Sequence, residues 1–178
     1  MGDVFIERMV KKKFDTKDIL IIVGIVLAVM VLMPILLLLS MQYGLFMIGL
    51  LAAAGLVFGG YKLLTMRMLE YEYSLTNGYI SIDKIMNRSS RKRMTAFECS
   101  SAEDIGVYTQ AEARLKNRSF DSRIFAVRTA ACEGSWYMIV QSSKTGKTLV
   151  VFNPDEELLE GIKKFIPRPL KFEKFGRN

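Results

Sequence analysis

Two short stretches hold residues that could do chemistry. SSKTGKT (142–148) ends in Gly146-Lys147-Thr148, the order in which a phosphate-binding loop finishes. Such a loop also needs a glycine five positions before the last one, a strand before it and a helix after it, so that backbone N–H groups and the lysine converge on phosphate. Position 141 is Gln and a strand-like run, KTLVVF, follows, so Lys144-Thr145-Gly146 reads as a hairpin turn. The other stretch, NRSSRKR (87–93), crowds Arg88, Arg91, Lys92 and Arg93 together a few residues after Lys84. Basic clusters of this kind attract nucleic acid, acidic proteins or anionic membrane, and they also occur as plain solvated loops.

Conventional catalytic sets are missing. The sequence has no histidine, which removes the usual general base and most metal sites. Cys99 and Cys132 therefore lack a histidine to activate them and read as two small, buried, reduced thiols. Asp155-Glu156-Glu157 falls where the first turn of a helix favours negative charge. No catalytic, cofactor-binding or metal-ligating residue is expected, and the chain reads as a non-enzyme with no cofactor.

What positions the basic cluster is decided by segregation of apolar and charged residues. The 178 residues are 51% hydrophobic yet carry a net charge of +7. From Ile19 to Tyr61 no residue is charged. An uncharged run of this length reads as membrane-spanning. As one helix it would reach roughly 65 Å, about twice the hydrocarbon thickness, so it must fold back. The polar, glycine-containing stretch Ser40–Gly44 is the place to do so, giving helices over about 19–40 and 45–64. Arg8, Lys11, Lys12, Lys13 and Lys17 precede the run, Lys62 and Arg67 end it, and the turn has no Lys or Arg. Positive flanks stay inside, so both termini are expected in the cytoplasm. The run is too long for a signal-peptide core, and a second span follows at once.

Within the spans, Gly24 and Ala28, and Gly55 and Gly59, are spaced four apart. Small residues at this spacing let helix backbones approach, within the hairpin first and between copies second. No ionisable group lies inside either span, which argues against an ion or proton pathway built from this chain alone.

Either side of the hairpin the character changes. Residues 1–18 set Val4, Phe5, Met9 and Phe14 among charges, as an amphipathic helix or a frayed lead-in would. From Glu70 onward, EYEYSLT alternates Tyr71, Tyr73 and Leu75 against Glu70, Glu72 and Ser74, and Asn77-Gly78 supplies a hairpin turn before YISIDKIM. Further strands are expected near 92–99, 104–109, 123–131, 135–142 and 147–152, with 110–122 as a polar loop or helical turn. Seven short strands argue for an antiparallel barrel or sandwich. The final helix opens at Asn153-Pro154, with Glu156 placed for a capping box, and carries an apolar stripe of Leu158, Leu159, Ile162, Phe165 and Ile166 up to Pro167. The basic tail 167–178 reads as partly ordered.

Seven strands and one amphipathic C-terminal helix resemble the pleckstrin-homology-like (PH-like) fold. KKKFDTKDILIIVGIVLAV, YEYSLTNGYISIDKI and NPDEELLEGIKKFIPRP resemble, more narrowly, a bacterial family of two-span membrane proteins with a PH-like cytoplasmic domain of unknown function. The resemblance covers nearly the whole chain. It implies a lead-in (1–18), a transmembrane α-helical hairpin (19–64), a seven-stranded antiparallel PH-like barrel capped by a helix (70–166) and a basic tail (167–178), in a multi-pass protein of the bacterial plasma membrane. It brings no catalytic residues. The expected role is a binding or scaffold module that meets a protein or anionic lipid head groups through Lys84, Arg88, Arg91, Lys92 and Arg93, with no nucleic-acid partner. The alternative is a small accessory subunit of a transporter or envelope complex that works through its hairpin.

Overall fold

The structure, a computed structural model, describes residues 3–142 and 145–176. The chain divides into two compact units, one made of the residues up to Lys13 together with those from Leu69 onward, the other of Phe14–Met68. The apolar unit is therefore an insertion in the β-rich one. Strand β1 (Phe5–Lys11) comes before the insertion and pairs antiparallel with β2 (Leu69–Thr76) after it, Phe5 opposite Thr76 and Lys11 opposite Glu70. This corrects the reading of the first eighteen residues as a helix or lead-in. FIERMVK alternates with period two, Val10 buried and Ile6 packed on the core while Phe5, Glu7, Met9 and Lys11 are exposed, the pattern of a half-buried strand.

Strands β3 (Tyr79–Met86) and β4 (Ser90–Glu98) complete a first sheet of order β1-β2-β3-β4. Asn77 (φ 48°) and Gly78 (φ 89°) form the two-residue turn between β2 and β3 that their sequence signals. The second sheet contains β5 (Ala102–Val107), β6 (Ser122–Ala126), β7 (Trp136–Ser142) and β8 (Gly146–Phe152) in the order β5-β7-β8-β6, with β6 parallel to β8. Eight strands in two four-stranded sheets replace the expected seven-stranded barrel, and no closed barrel forms among the described residues. The extra strand comes from ahead of the insertion, where no neighbouring segment hints at its partner. The expected strand 123–131 shortens to β6. The polar segment before it folds as helix α3 (Tyr108–Lys116), with Tyr108 and Leu115 buried.

Tyr73, Leu75, Ile80, Ile82 and Phe97 of the first sheet share one core with Ile105, Met138, Val140, Val150 and Phe152 of the second. The fully buried Tyr73 hydroxyl donates to the Ala126 carbonyl and accepts from the Asn153 N–H, so a polar group in the core is satisfied while it links the sheets. On the far face of the second sheet Tyr137, Ile139, Leu149 and Val151 pack with Tyr108 and Leu115 of α3. Covered on both faces, β7 and β8 read as continuous apolar runs; the first sheet has one charged face, and β2 alternates.

Helix α4 (Glu156–Phe165) buries Leu158 and Ile162 in the core, and its cap is Asp155, whose side chain accepts from the Leu158 N–H at 2.9 Å. Asn153, expected to cap, instead accepts from the Arg128 N–H and donates to the Glu133 carbonyl. The tail contains a further helix: α5 (Arg168–Phe175) buries Leu170 and stacks Phe175 on Trp136 at 5.7 Å between ring centres.

The inserted unit is a helical hairpin, α1 (Thr16–Gln42) and α2 (Phe46–Thr65), with Gly44 at φ 69° in the turn. Helix α1 starts before Ile19 because Asp15 and Asp18 form a reciprocal capping box. Both helices are long and apolar enough to cross a bilayer, which fits a two-span membrane protein. The helices meet through other small residues than Gly24, Ala28, Gly55 and Gly59. An added Cβ would meet nothing at Gly24, Gly55 or Gly59, and Ala28 is exposed. At Gly60 it would lie 2.9 Å from Val29 and at Gly49 it would overlap the Ser40 side chain, with Ala53 buried between them. Several small-residue stripes run along α2, and only the one on the face set by the turn is used.

Candidate functional site

Strand register lays the charged residues of the first sheet out in rows. On its outer face one row runs Lys11, Glu70, Ile85, Arg91 and the next Met9, Glu72, Asp83, Arg93. The first row lies at the end where β1 leaves for the inserted hairpin and β2 returns from it. The turn between β3 and β4 is at the same end, since Met86 pairs with Leu69.

The basic cluster is therefore not one loop. Arg88 sits in the turn, where Asn87 and Arg88 both take left-handed backbone (φ 50° and 53°). Arg91, Lys92 and Arg93 belong to β4, an edge strand, where charge also discourages pairing with another sheet. Arg91 Nη2 donates to Glu72 Oε2 at 2.6 Å, and Arg93 grips Asp83 with two bonds of 2.9 and 3.2 Å. Both carboxylates are 4% exposed and stand directly opposite each other. Burial pushes the Glu72 carboxyl above its ordinary value; Arg91 opposes this, while Glu7 and Asp83 add to it.

Two lysines are left. Lys84 and Lys92 face each other across β3 and β4 and have no ion-pair partner among the described residues. Like charges in direct register destabilise a sheet, so folding alone does not account for this pair. Lys11 and Arg88 are held only loosely, 4.0 and 3.7 Å from the same carboxylate oxygen of Glu70. A recess of about 470 Å³ opens beside them, with Met9 and Ile85 as its apolar side and Ser89 and Ser90 at its rim.

The strand before the hairpin, the hairpin itself and both sheets fall within one family pattern: a family model described as a bacterial PH-like domain (DUF6106) matches residues 2–172. The chain belongs to this family. No curated protein and no solved structure matches it. Because the match begins ahead of β1, the membrane-type hairpin is an internal part of the PH-like domain sequence and not an anchor added to one end.

Elsewhere in the PH-like domain, chemistry suggested by sequence resolves into structure. Ser143 and Lys144 of the phosphate-loop mimic lie outside the described residues. Of the remainder, Lys147 Nζ is 2.5 Å from Glu103, and the Asp121 carboxylate accepts from the Lys147 N–H at 2.8 Å while lying against Gly146. Cys99 and Cys132 are buried free thiols, Cys99 pushed up to about 12 by burial. Among the described residues no group of His, Cys, Asp and Glu converges as a metal site.

Sequence reasoning passed over the polar cluster between the second sheet and α5. Asp104 Oδ2 accepts from Arg114 at 2.8 Å and from the Tyr137 hydroxyl at 2.9 Å, while Lys174 Nζ lies 3.0 Å from Oδ1. Burial works to raise the Asp104 carboxyl, but the Lys174 and Tyr137 hydrogen bonds and the Lys174 and Arg114 charges outweigh it and hold it below its ordinary value. These residues are spread from 104 to 174, and no local motif links them.

Proposed function

We propose that the PH-like domain is a non-catalytic binding module held at the cytoplasmic leaflet of the bacterial plasma membrane by its inserted hairpin, and that the basic end of its first sheet meets the anionic membrane surface. The observation that carries this reading is the unpaired Lys84–Lys92 couple, set with Lys11 and Arg88 at the sheet end that holds both connections to the hairpin. Lys and Arg side chains next to an anionic leaflet each gain about 1 kcal/mol, which offsets the repulsion that the sheet leaves uncompensated. Three residues, Met66–Met68, join α2 to β2, and so short a link reaches only about 10 Å when extended. The positive flanks and the uncharged turn support cytoplasmic termini.

The test uses the full chain in nanodiscs of neutral or anionic lipid, read by hydrogen exchange over residues 84–93. Anionic lipid should slow exchange there, and Lys84→Glu with Lys92→Glu should abolish the difference. Equal exchange in both lipids would remove the membrane-surface role. A Tyr43→Cys variant labelled from the cytoplasmic side would overturn the topology.

A further inference from the structure

We propose that the recess on the outer face of the first sheet takes the head group of an aminophospholipid, with its phosphate between Lys11 and Arg88 and its primary ammonium on Glu70. The inference rests on the membrane-surface reading above and names the ligand for one part of that surface.

The recess carries both signs of charge, and its ion pairs are unfinished. Glu70 is tucked in, its side chain 13% exposed, while Lys11 and Arg88 beside it are 71% and 78% exposed and stay beyond direct hydrogen-bonding distance at 4.0 and 3.7 Å. Arg91, on the same wall, is already committed to Glu72 at 2.6 Å. An ammonium placed on Glu70 would release Lys11 and Arg88 to hold a phosphodiester. The Ser89 and Ser90 hydroxyls at the rim are exposed and make no hydrogen bond among the described residues, so they are open to donate to its oxygens. Met9 and Ile85 offer an apolar side to the glycerol end of a lipid.

Charge complementarity selects among head groups. A purely anionic head would draw Lys11 and Arg88 away from the Glu70 carboxylate and give it no cation in return. A quaternary ammonium has no N–H to give that carboxylate. A primary ammonium gives up to three. The source is a lipid and not free phosphate because the recess opens at the sheet end that is covalently tied to both membrane-type helices.

The full chain in detergent, mixed with equal amounts of phosphatidylethanolamine, phosphatidylglycerol and phosphatidylcholine and read by native mass spectrometry, tests the assignment. Phosphatidylethanolamine should be retained in preference to both others. Glu70→Gln should cut its preference over phosphatidylcholine about tenfold, the scale of one lost charge-assisted hydrogen bond. Arg88→Asn, whose new side chain tolerates left-handed backbone, should weaken all three. Unchanged preference in Glu70→Gln would overturn the assignment even with the fold intact by Trp136 fluorescence. So would retention of phosphatidylglycerol at or above phosphatidylethanolamine. If either result came with the anionic-lipid protection of residues 84–93 preserved, the recess assignment would fall while the broader surface role stood.

Discussion

On the first sheet Glu72 and Asp83 stand opposite each other, each with a single arginine; on the second, Arg114, Tyr137 and Lys174 converge on Asp104. All three carboxylates are at most 8% exposed, and all have a guanidinium at hydrogen-bonding distance. Yet Glu72 holds its proton more firmly than an ordinary carboxyl and Asp104 less firmly. The difference lies in the neighbours. Asp104 has a cation at each oxygen, Arg114 at Oδ2 and Lys174 at Oδ1, whereas Glu72 shares its surroundings with Glu7 and Asp83. A saturated cluster fastens parts together, here β5, β7, α3 and α5. An unsaturated one keeps capacity for something outside the domain, and the loosely held Lys11 and Arg88 lie beside it.

If that distinction is right, Asp104→Ala should have the largest effect. It removes the shared acceptor of a buried hydroxyl and two cations at once, and breaking such a group costs about 2–3 kcal/mol. The sole tryptophan, Trp136, stacks on Phe175 one residue from Lys174 and reports the loss directly. Denaturant unfolding of the full chain in detergent, followed by that fluorophore, should show an earlier midpoint together with a native-state signal altered by loosening of α5. A midpoint shift equivalent to less than about 0.5 kcal/mol would mean that the cluster is decorative.

The first sheet should respond less, and with a different logic. Arg91→Ala leaves Glu72 buried without its cation and should cost about 1–2 kcal/mol. Adding Glu72→Gln should recover most of that loss, because the carboxylate, and not the arginine, is what the sheet cannot tolerate alone. A double-mutant cycle over the two positions measures the coupling. Additive losses would show that the pair is no more than two independent surface substitutions.

How much of this was legible in the sequence follows from the range over which each feature is encoded. The two apolar helices, the Asn77-Gly78 turn and the β2 alternation are written within a few residues, and they stand in the structure where they were expected. Strand β1 was not legible, because its partner Leu69–Thr76 lies beyond the whole hairpin and a lone seven-residue alternation resembles a lead-in. The basic residues were found by type, but their spread over a turn and both faces of an edge strand depends on β3–β4 register, including the irregularity between Ile82 and Asp83. Glu70 and Glu72 were already placed on one face by the Tyr71-Tyr73-Leu75 pattern; that Asp83, Arg88 and Arg91 stand beside them was not. The spacing of Gly55 and Gly59 reveals a stripe but not which way it faces, and the close approaches fall at Gly49 and Gly60 instead.

The smallest effect expected is the most discriminating, since the two carboxyls should give pH dependences of opposite sign. Asp104, lowered from 3.8 in the folded protein, binds its proton less readily there than in the unfolded chain. Its contribution is therefore complete above pH 3.8 and is lost as pH falls through the lowered value. Glu72, raised from 4.5, behaves in reverse. Below pH 4.5 both states are protonated and it contributes nothing; as pH climbs from 4.5 through the raised value, the unfolded chain has released a proton that the fold still holds, and stability declines. Glu72→Gln, which keeps an acceptor for Arg91, should thus be neutral to slightly stabilising at pH 7, within about 0.5 kcal/mol, and its advantage over the parent should vanish toward pH 4. Asp104→Asn should differ from the parent least at the acid end and fully at neutral pH. Denaturant midpoints for the three proteins across pH 3–7 decide the matter: if both variants lose ground at neutral pH in the same sense, the first sheet is as saturated as the second, and the case for an outside ligand at its basic end loses its physical basis.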